Sequence, residues 1–352
     1  MSDQRNGGIA WTDQTWNPVR GCSRVSDGCT NCYAETMAAR FCGAGQPYEG
    51  TINPETKRWN GKVRLVHEHL EDPLHWKRPR RIFVNSMSDL FHPEVPDKFI
   101  DNIFAVMALC QQHTFQVLTK RPERMLEYVA RRTTMPNIDQ LAFELARDKL
   151  NGTHIGSEWE AIKWTLPNVH LGVTIENQQA ADERIPLLLQ TPAAVRWVSV
   201  EPMLDAVDLE RVLWPDKVAH RVDVLRGGYW CKAPHMLGAP SAEIGEPKGG
   251  FVNHSDMPAT LDWVVCGGES GANARPMHPD WVRGLRDQCK AADVPFMFKQ
   301  WGEWVPMMGC VQGVTVRGEK HIHQDGTIMG RAGKKAAGRL LDGVLHDGYP
   351  VE

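Results

Sequence analysis

The sequence predicts an α/β protein built as a (βα) barrel, complete or partial and TIM-like, with insertions and a C-terminal appendage. Three observations predict it. From residue 60 onward, short β-branched or aromatic runs alternate with helical patterns, the signature of βα units around a parallel sheet. Six of those runs give way at their carboxyl ends to ionisable or amide side chains, and in a parallel barrel such ends meet on one face, where active sites lie. The amino-terminal stretch 9–19 ends in a loop that carries three cysteines.

The runs in chain order are 62–66 (KVRLV), 81–84 (RIFV), 115–118 (FQVL), 169–173 (VHLGV), 195–200 (VRWVSV), 263–266 (WVVC) and 295–298 (PFMF), and 9–19 supplies an eighth strand. Apolar residues at helical spacing predict helices over 97–110, 177–189 and 280–292, as the outer layer of such a fold requires. The connections near 133–166 and 215–260 are too long for a minimal barrel and read as insertions over one face. Residues 1–304 are therefore expected to form one barrel domain. Residues 305–352, Gly-rich through GRAGKKAAGRLLDG, are expected to form an appendage packed on it.

Composition narrows the class. A chain of 352 residues with 42% hydrophobic content can bury one large core, which excludes disordered chains and disulfide-stapled miniproteins. The polar start MSDQRNGG and the short apolar runs predict no signal peptide, no membrane partner and a cytoplasmic location. Six of the nine cysteines (Cys42, Cys110, Cys231, Cys266, Cys289 and Cys310) are scattered singly, as reduced thiols are. A net charge of −3 gives no global signal for nucleic acid.

The polar strand ends form the candidate site. They are Asn85, Ser86, Ser88 and Asp89; Thr119 and Lys120; Thr174, Glu176 and Asn177; Glu201; Glu269 and Ser270; and Lys299 and Gln300. Any one of them can simply begin a loop, but six ends together favour function. Lys120, Glu176, Glu201 and Lys299 are the candidate catalytic groups, as orienting charges or proton carriers, with buried ion pairing as the structural alternative.

Cys22-x6-Cys29-x2-Cys32 lies in a loop marked by Gly21, Asp27 and Gly28 and is followed by the helical YAETMAARF. Three soft thiolates so placed can surround a metal centre. Besides coincidence, two readings stand: a structural zinc closed by Cys42 or His67, or an iron–sulfur cluster with one iron free of protein ligands.

The segments WTDQTWNPVRGCSRVSDGCTNCYAE, FVNSMSDLFHPEVP, VLTKRPERM, LGVTIENQ, VSVEPM, GGESGANARPM and FKQWGEW resemble a phage- and prophage-associated three-cysteine protein family of unassigned activity. That family is itself similar to radical S-adenosylmethionine (SAM) enzymes of the spore photoproduct lyase type, and the resemblance covers nearly the whole chain. It implies that Cys22, Cys29 and Cys32 ligate a [4Fe–4S] cluster and that the open iron chelates SAM. An electron donor would then drive formation of a 5′-deoxyadenosyl radical that takes hydrogen from the substrate. It further implies a SAM contact at Ser88 and Asp89, with Asp89 bonding the ribose hydroxyls; Asn85, Ser86, Thr174, Asn177 and Glu269 are further cofactor-binding candidates as polar strand ends, Glu269 in a close backbone turn. The implied substrate is a nucleic acid or a nucleotide, with Trp301 and Trp304 stacking a base and Lys120, Lys299 and Arg275 meeting phosphates. A zinc-stabilised nucleic-acid-binding protein is the alternative from another class, and a barrel hydrolase with merely structural cysteines is a third.

Two features depart from the radical SAM pattern. The usual spacing is C-x3-C-x2-C, and the Gly-Gly-Glu that many such enzymes carry after the second strand occurs here only at 267–269. The basic run 77–81 precedes a strand and so falls on the amino-terminal side, away from a substrate mouth.

Overall fold

Seven of the apolar runs do become strands of one sheet. In chain order they are β1 (Gln14–Trp16), β2 (Arg81–Val84), β3 (Thr114–Thr119), β4 (Val169–Thr174), β5 (Val195–Val200), β6 (Trp263–Gly267) and β7 (Phe296–Gln300), and the sheet follows the same order. The computed structural model describes residues 9–134, 165–215, 221–231, 250–252, 259–307, 316 and 318–350. The two predicted insertions lie largely outside these residues. The ladders β1/β2, β2/β3, β3/β4, β5/β6 and β6/β7 are all parallel. A seven-strand parallel sheet wound in chain order is compatible with a partial (βα) barrel, and an eighth strand is not present among the described residues. Among those residues no helix is long and apolar enough to cross a membrane.

The run 62–66 is not one of the sheet strands. Only Arg64–Leu65 is extended, and it pairs antiparallel with Val19–Arg20. Lys62 and Arg64 are exposed and only Val66 is buried, whereas an inner parallel strand needs both faces covered. All six residues of β4 are buried, as that rule demands. Gln14–Trp16, from the stretch 9–19, takes the edge position instead.

The chain divides into two compact units, Met1–Val173 with Thr191–Val195, and Thr174–Gln190 with Arg196–Glu352. In the first, the helices are α1 (Tyr33–Ala38), α2 (Asp97–Leu109) and α3 (Pro122–Thr134). Phe99, Ile100, Ile103, Phe104, Val106 and Met107 of α2 are buried. Tyr128 and Arg132 of α3 bond Asp101 of α2, the phenol at 2.8 Å and the guanidinium at 2.7 Å through two nitrogens. That buried carboxylate is thereby satisfied, and it fixes the two helices against each other.

In the second unit, α4 (Gln178–Gln190) and α5 (Pro279–Ala291) accompany β5, β6 and β7. The tail lies along β7: Phe298 N–H donates to the His346 carbonyl and Gly348 N–H to that of Phe296, both at 3.0 Å. Those bonds cover part of an edge that would otherwise present unpaired backbone groups. Asp342 then pins the tail hairpin to α5, accepting from Arg283 Nη2 at 2.8 Å and Arg286 Nη1 at 2.7 Å.

Hydrogen bonds from Arg283, reinforced by Arg286, hold the Asp342 carboxyl at about 2, below its ordinary 3.8. A depressed folded-state value contributes stability that is present above the unfolded value and lost as pH falls through the folded one. With a third of the side chain exposed, the contribution is about 1 kcal/mol after screening. Asp342→Asn should therefore cost about 1 kcal/mol in urea unfolding at pH 6 and almost nothing near pH 2. Equal stability of the two proteins at pH 6 would count against this pairing.

Candidate functional site

The cysteine loop leaves β1 through a position that only glycine fits. Gly21 has φ +94°, and a Cβ there would sit 2.4 Å from the Lys62 carbonyl oxygen. It also bridges in parallel to Ser88, beyond the carboxyl end of β2, so the loop is laid beside that strand end. Cys29 then closes a short 3-10 turn (Asp27–Cys29), and Cys32 is the residue before α1. Arg24 joins the loop to α1 through Glu35, donating from Nε at 3.2 Å with a second contact from Nη2. The same carboxylate takes the Trp59 N–H at 2.8 Å.

All three thiols are half-buried. Burial pushes Cys22 up to about 12, with Asp89 adding to the effect and Cys32 and Cys29 contributing. Burial also raises Cys32, with Cys29 contributing again. Each thiol thus lies within electrostatic reach of the others. Among the described residues the group that brings three ligand atoms within 4.8 Å of one another is His278, Asp280 and Asp325.

Asp89 is the hub of the strand ends. It is 5% exposed, and its Oδ1 accepts from Thr119 Oγ1 at 2.7 Å and Phe91 N–H at 3.0 Å. Its Oδ2 accepts from Lys120 N–H at 3.1 Å and Arg121 Nη1 at 2.7 Å. A carboxylate has about four acceptor positions, and protein donors occupy all four. Asp89 thus stands apart from the ribose-bonding expectation: it is a positioning group. Through it Arg121 is aimed at the cysteine loop, with Nη1 4.0 Å from Cys22 Sγ and Nη2 donating to the carbonyl and the hydroxyl of Ser23 at 3.0 and 2.8 Å. His92 faces the same hydroxyl, Nε2 to Ser23 Oγ at 2.9 Å. Its Nδ1 accepts the Glu94 N–H at 3.2 Å, so Nε2 carries the proton.

The other first-unit candidates gather here too. Ser88 Oγ donates to the Val19 carbonyl at 2.8 Å and Ser86 Oγ to Asn17 Oδ1 at 3.1 Å. Tyr33, the first residue of α1, donates to the Ser86 carbonyl at 2.6 Å. Asn85 is 2% exposed and left-handed at φ +61°, an uncommon conformation that signals a constraint. Its Oδ1 accepts Val19 N–H at 3.3 Å, while its Nδ2 is buried without a partner among the described residues. Asn17, Ser23, Arg24, Glu35 and His92 were not anticipated, because their contacts cross 11 to 69 residues of chain.

In the second unit the candidates form three sets, two of them joined by Gln300, whose Nε2 donates to Ser270 Oγ at 3.1 Å as well as to Glu201. Glu201 and Lys299 pair at 2.9 Å, with Gln300 Nε2 donating to Glu201 Oε1 at 3.3 Å. The ion-pair alternative is thus realised for these two. Glu176 pairs instead with Arg184, at 3.2 Å and with side chains 1% and 5% exposed. The same guanidinium donates to the Thr174 carbonyl at 2.6 Å. Asn177 caps α4, its Oδ1 accepting the Ala180 N–H at 2.9 Å. Glu269 holds Arg275 through its backbone N–H, Nε and Nη2 at 2.8, 2.9 and 2.6 Å.

Two expectations about the substrate are corrected. Trp301 and Trp304 are 1% and 4% exposed, with indole N–H groups on the Leu340 and Ala274 carbonyls at 2.9 and 2.7 Å. Both are core residues, so neither offers a face to a base, and Arg275 is held by Glu269 rather than open to a phosphate. The Gly-Gly-Glu segment is explained by close packing: a Cβ on Gly268 would stand 2.0 Å from the Trp301 carbonyl oxygen.

Residues 6–350 match the model of a family described as protein of unknown function (DUF5131). The chain belongs to that family. No curated protein and no solved structure matches it. The matched span includes the cysteine loop and every polar strand end described above.

Proposed function

We propose that the chain is an iron–sulfur enzyme of the radical SAM kind, with Cys22, Cys29 and Cys32 holding a [4Fe–4S] cluster. One observation carries the reading: three half-buried thiols in a loop laid beside the carboxyl end of a parallel strand, with the Arg121 guanidinium 4.0 Å from one of them. The donor set fits the group. Three soft thiolates suit an iron–sulfur cluster with one iron left open, whereas a structural zinc takes four closed ligands. The chemistry a bound cluster supplies is reductive cleavage of SAM to a 5′-deoxyadenosyl radical, the electron coming from an external donor.

The chain's own residues have narrower tasks. Arg121, fixed by Asp89 and Ser23, offsets negative charge at the thiolates in a partly desolvated place, where a charge-assisted contact is strongest. Ser86, Ser88 and Tyr33 hold the loop and α1 against the end of β2. Asn85 presents a buried donor suited to a carboxylate or ribose hydroxyl oxygen of SAM. The Lys120 N–H is held by Asp89, the Thr174 carbonyl by Arg184, Asn177 caps α4 and Glu269 holds Arg275, and Glu201 with Lys299 is the charged pair kept for a catalytic role. For the substrate we retain a nucleotide or nucleic acid as the class, on the strength of the sequence resemblance.

The test is anaerobic purification. The protein should be brown and carry about four irons per chain. SAM should perturb the cluster's spectrum, and reduction should release 5′-deoxyadenosine. One zinc per chain and no iron would overturn the reading in favour of a closed structural site.

A further inference from the structure

Between β1 and β2 the chain makes a long excursion, closed at its neck by the antiparallel pair Val19–Arg20 and Arg64–Leu65. Residues 20–64 hold seven Lys or Arg against four Asp or Glu, a net +3 in a chain whose total is −3. Arg24 is taken by Glu35. The other six cations, Arg20, Arg40, Lys57, Arg58, Lys62 and Arg64, form no ion pair among the described residues, and all but the half-buried Arg20 are exposed. Arg20 and Arg64 are direct partners across the antiparallel pair, and like charges so placed cost stability. Glu68 lies within electrostatic reach of both without pairing with either. Folding by itself does not call for this arrangement.

Exposed rings lie among these cations. Tyr33, Met37 and Phe41 recur every four residues on α1 and the turn that continues it, and they are 53%, 41% and 44% exposed. That spacing puts them on one side of a helix, while Ala34, Glu35 and Ala38 form the buried side. The Tyr33 hydroxyl is tied to the Ser86 carbonyl, so its ring is both exposed and held still. Contacts join the rings to the cations. Arg40 Nη1 lies 4.0 Å from Met37 Sδ, the Phe41 carbonyl accepts the Tyr48 N–H at 3.1 Å, and the Arg20 guanidinium stands 5.8 Å from the Tyr48 ring centre. Trp59, next to Arg58, lies 6.4 Å from Tyr48, centroid to centroid, and donates its N–H to Glu35 of α1 at 2.8 Å. A solvated surface accounts for cations alone. Cations interleaved with exposed rings suit a polymer whose phosphates meet the charges and whose bases stack.

We propose that this excursion, which carries the cysteine loop, is a docking surface for single-stranded nucleic acid. A duplex keeps its bases stacked on one another, so only an unpaired strand can use the rings of Tyr33 and Phe41. An acidic protein would meet the cations and offer no base to those rings. The surface deepens the substrate reading above by naming the polymer rather than the free nucleotide, and it rests on that reading for the chemistry done on the strand, not for the binding.

Fluorescence anisotropy tests it with the full chain and labelled oligomers of about 20 nucleotides, longer than the roughly 4–16 that one such surface covers, as DNA and as RNA of the same sequence. The logarithm of the binding constant should fall linearly with that of the salt concentration from about 50 to 200 mM KCl, with a slope of roughly −3, because each phosphate neutralised on a single strand gives about −0.7. Arg58→Ala combined with Arg64→Ala should make the slope shallower by about 1.4. Phe41→Ala should weaken binding roughly tenfold at an unchanged slope. These side chains are exposed, and circular dichroism checks that each variant is folded. Binding in either arm supports the surface, and the tighter arm names the sugar. Absence of binding at the lowest salt overturns the proposal, as does binding unchanged in Phe41→Ala. Equal competition by polyglutamate also overturns it and assigns the surface to an acidic protein. Iron content and SAM cleavage are measured on the same preparation: failure to bind the polymer with both intact sinks the surface and leaves the enzyme reading, and absence of iron with binding intact does the reverse.

Discussion

Alanine at Cys22, Cys29 or Cys32 should each take bound iron from about four per chain to near zero, while Cys42→Ala, Cys110→Ala, Cys266→Ala and Cys289→Ala keep it. The contrast follows from where the thiols are. Cys110, Cys266 and Cys289 are core residues, and burial pushes Cys110 and Cys289 up to about 12 and Cys266 well above its ordinary value. Such groups pack as small apolar side chains. Cys42 lies beyond α1 with its thiol on the Ala39 carbonyl at 3.3 Å. The three loop cysteines sense one another and Cys22 has a guanidinium in reach, which a thiolate ligand set needs and a lone thiol does not. Iron analysis of anaerobic preparations, with circular dichroism to confirm folding, checks the series. Iron that survives in the Cys29 variant, or disappears in the Cys42 variant, would place the ligands elsewhere.

Asp89→Asn should destabilise the protein by about 3 kcal/mol and also loosen the cysteine loop. The side chains of Asp89 and Arg121 are 7% and 13% exposed, and removing one charge of a buried pair leaves the other uncompensated. The new amide would in addition turn an N–H toward Thr119, Phe91, Lys120 or Arg121, all of which are donors to Asp89. Arg121 would then lose the contact that aims it at Ser23 and Cys22, so iron retention should fall along with stability. A ribose ligand would behave differently: SAM affinity would drop while iron and stability stayed as they were. Urea unfolding and iron content of Asp89→Asn separate the two outcomes. The double variant Asp89→Leu with Arg121→Met should recover much of the stability without recovering iron, because it removes both buried charges together.

The strands that were legible in the sequence are those buried on both faces. VHLGV, VRWVSV and WVVC read as strands because an inner parallel strand admits few polar residues. KVRLV failed that criterion through Lys62 and Arg64, and its hydrophobic alternation belongs to a short antiparallel pair. The helices 97–110, 177–189 and 280–292 were legible for the same reason, their periodic apolar faces, and differ by one residue at one end from α2 and by one residue at each end from α4 and α5.

Local chemistry is what the sequence by itself determined: three cysteines in one glycine-marked loop, polar residues at the ends of apolar runs, a family-wide match. Pairing was decided by tertiary structure alone. Glu176 was expected among catalytic groups and is the partner of Arg184, eight residues on. Glu201 and Lys299 meet across 98 residues, His278 and Asp325 across 47, Asp89 and Arg121 across 32. Trp301 and Trp304 looked like a stacking surface and are buried in the core. A charge or an indole announces its type in the sequence, but whether it faces solvent, a ligand or another side chain depends on which chain segments the sheet brings beside it, and that contact set is non-local.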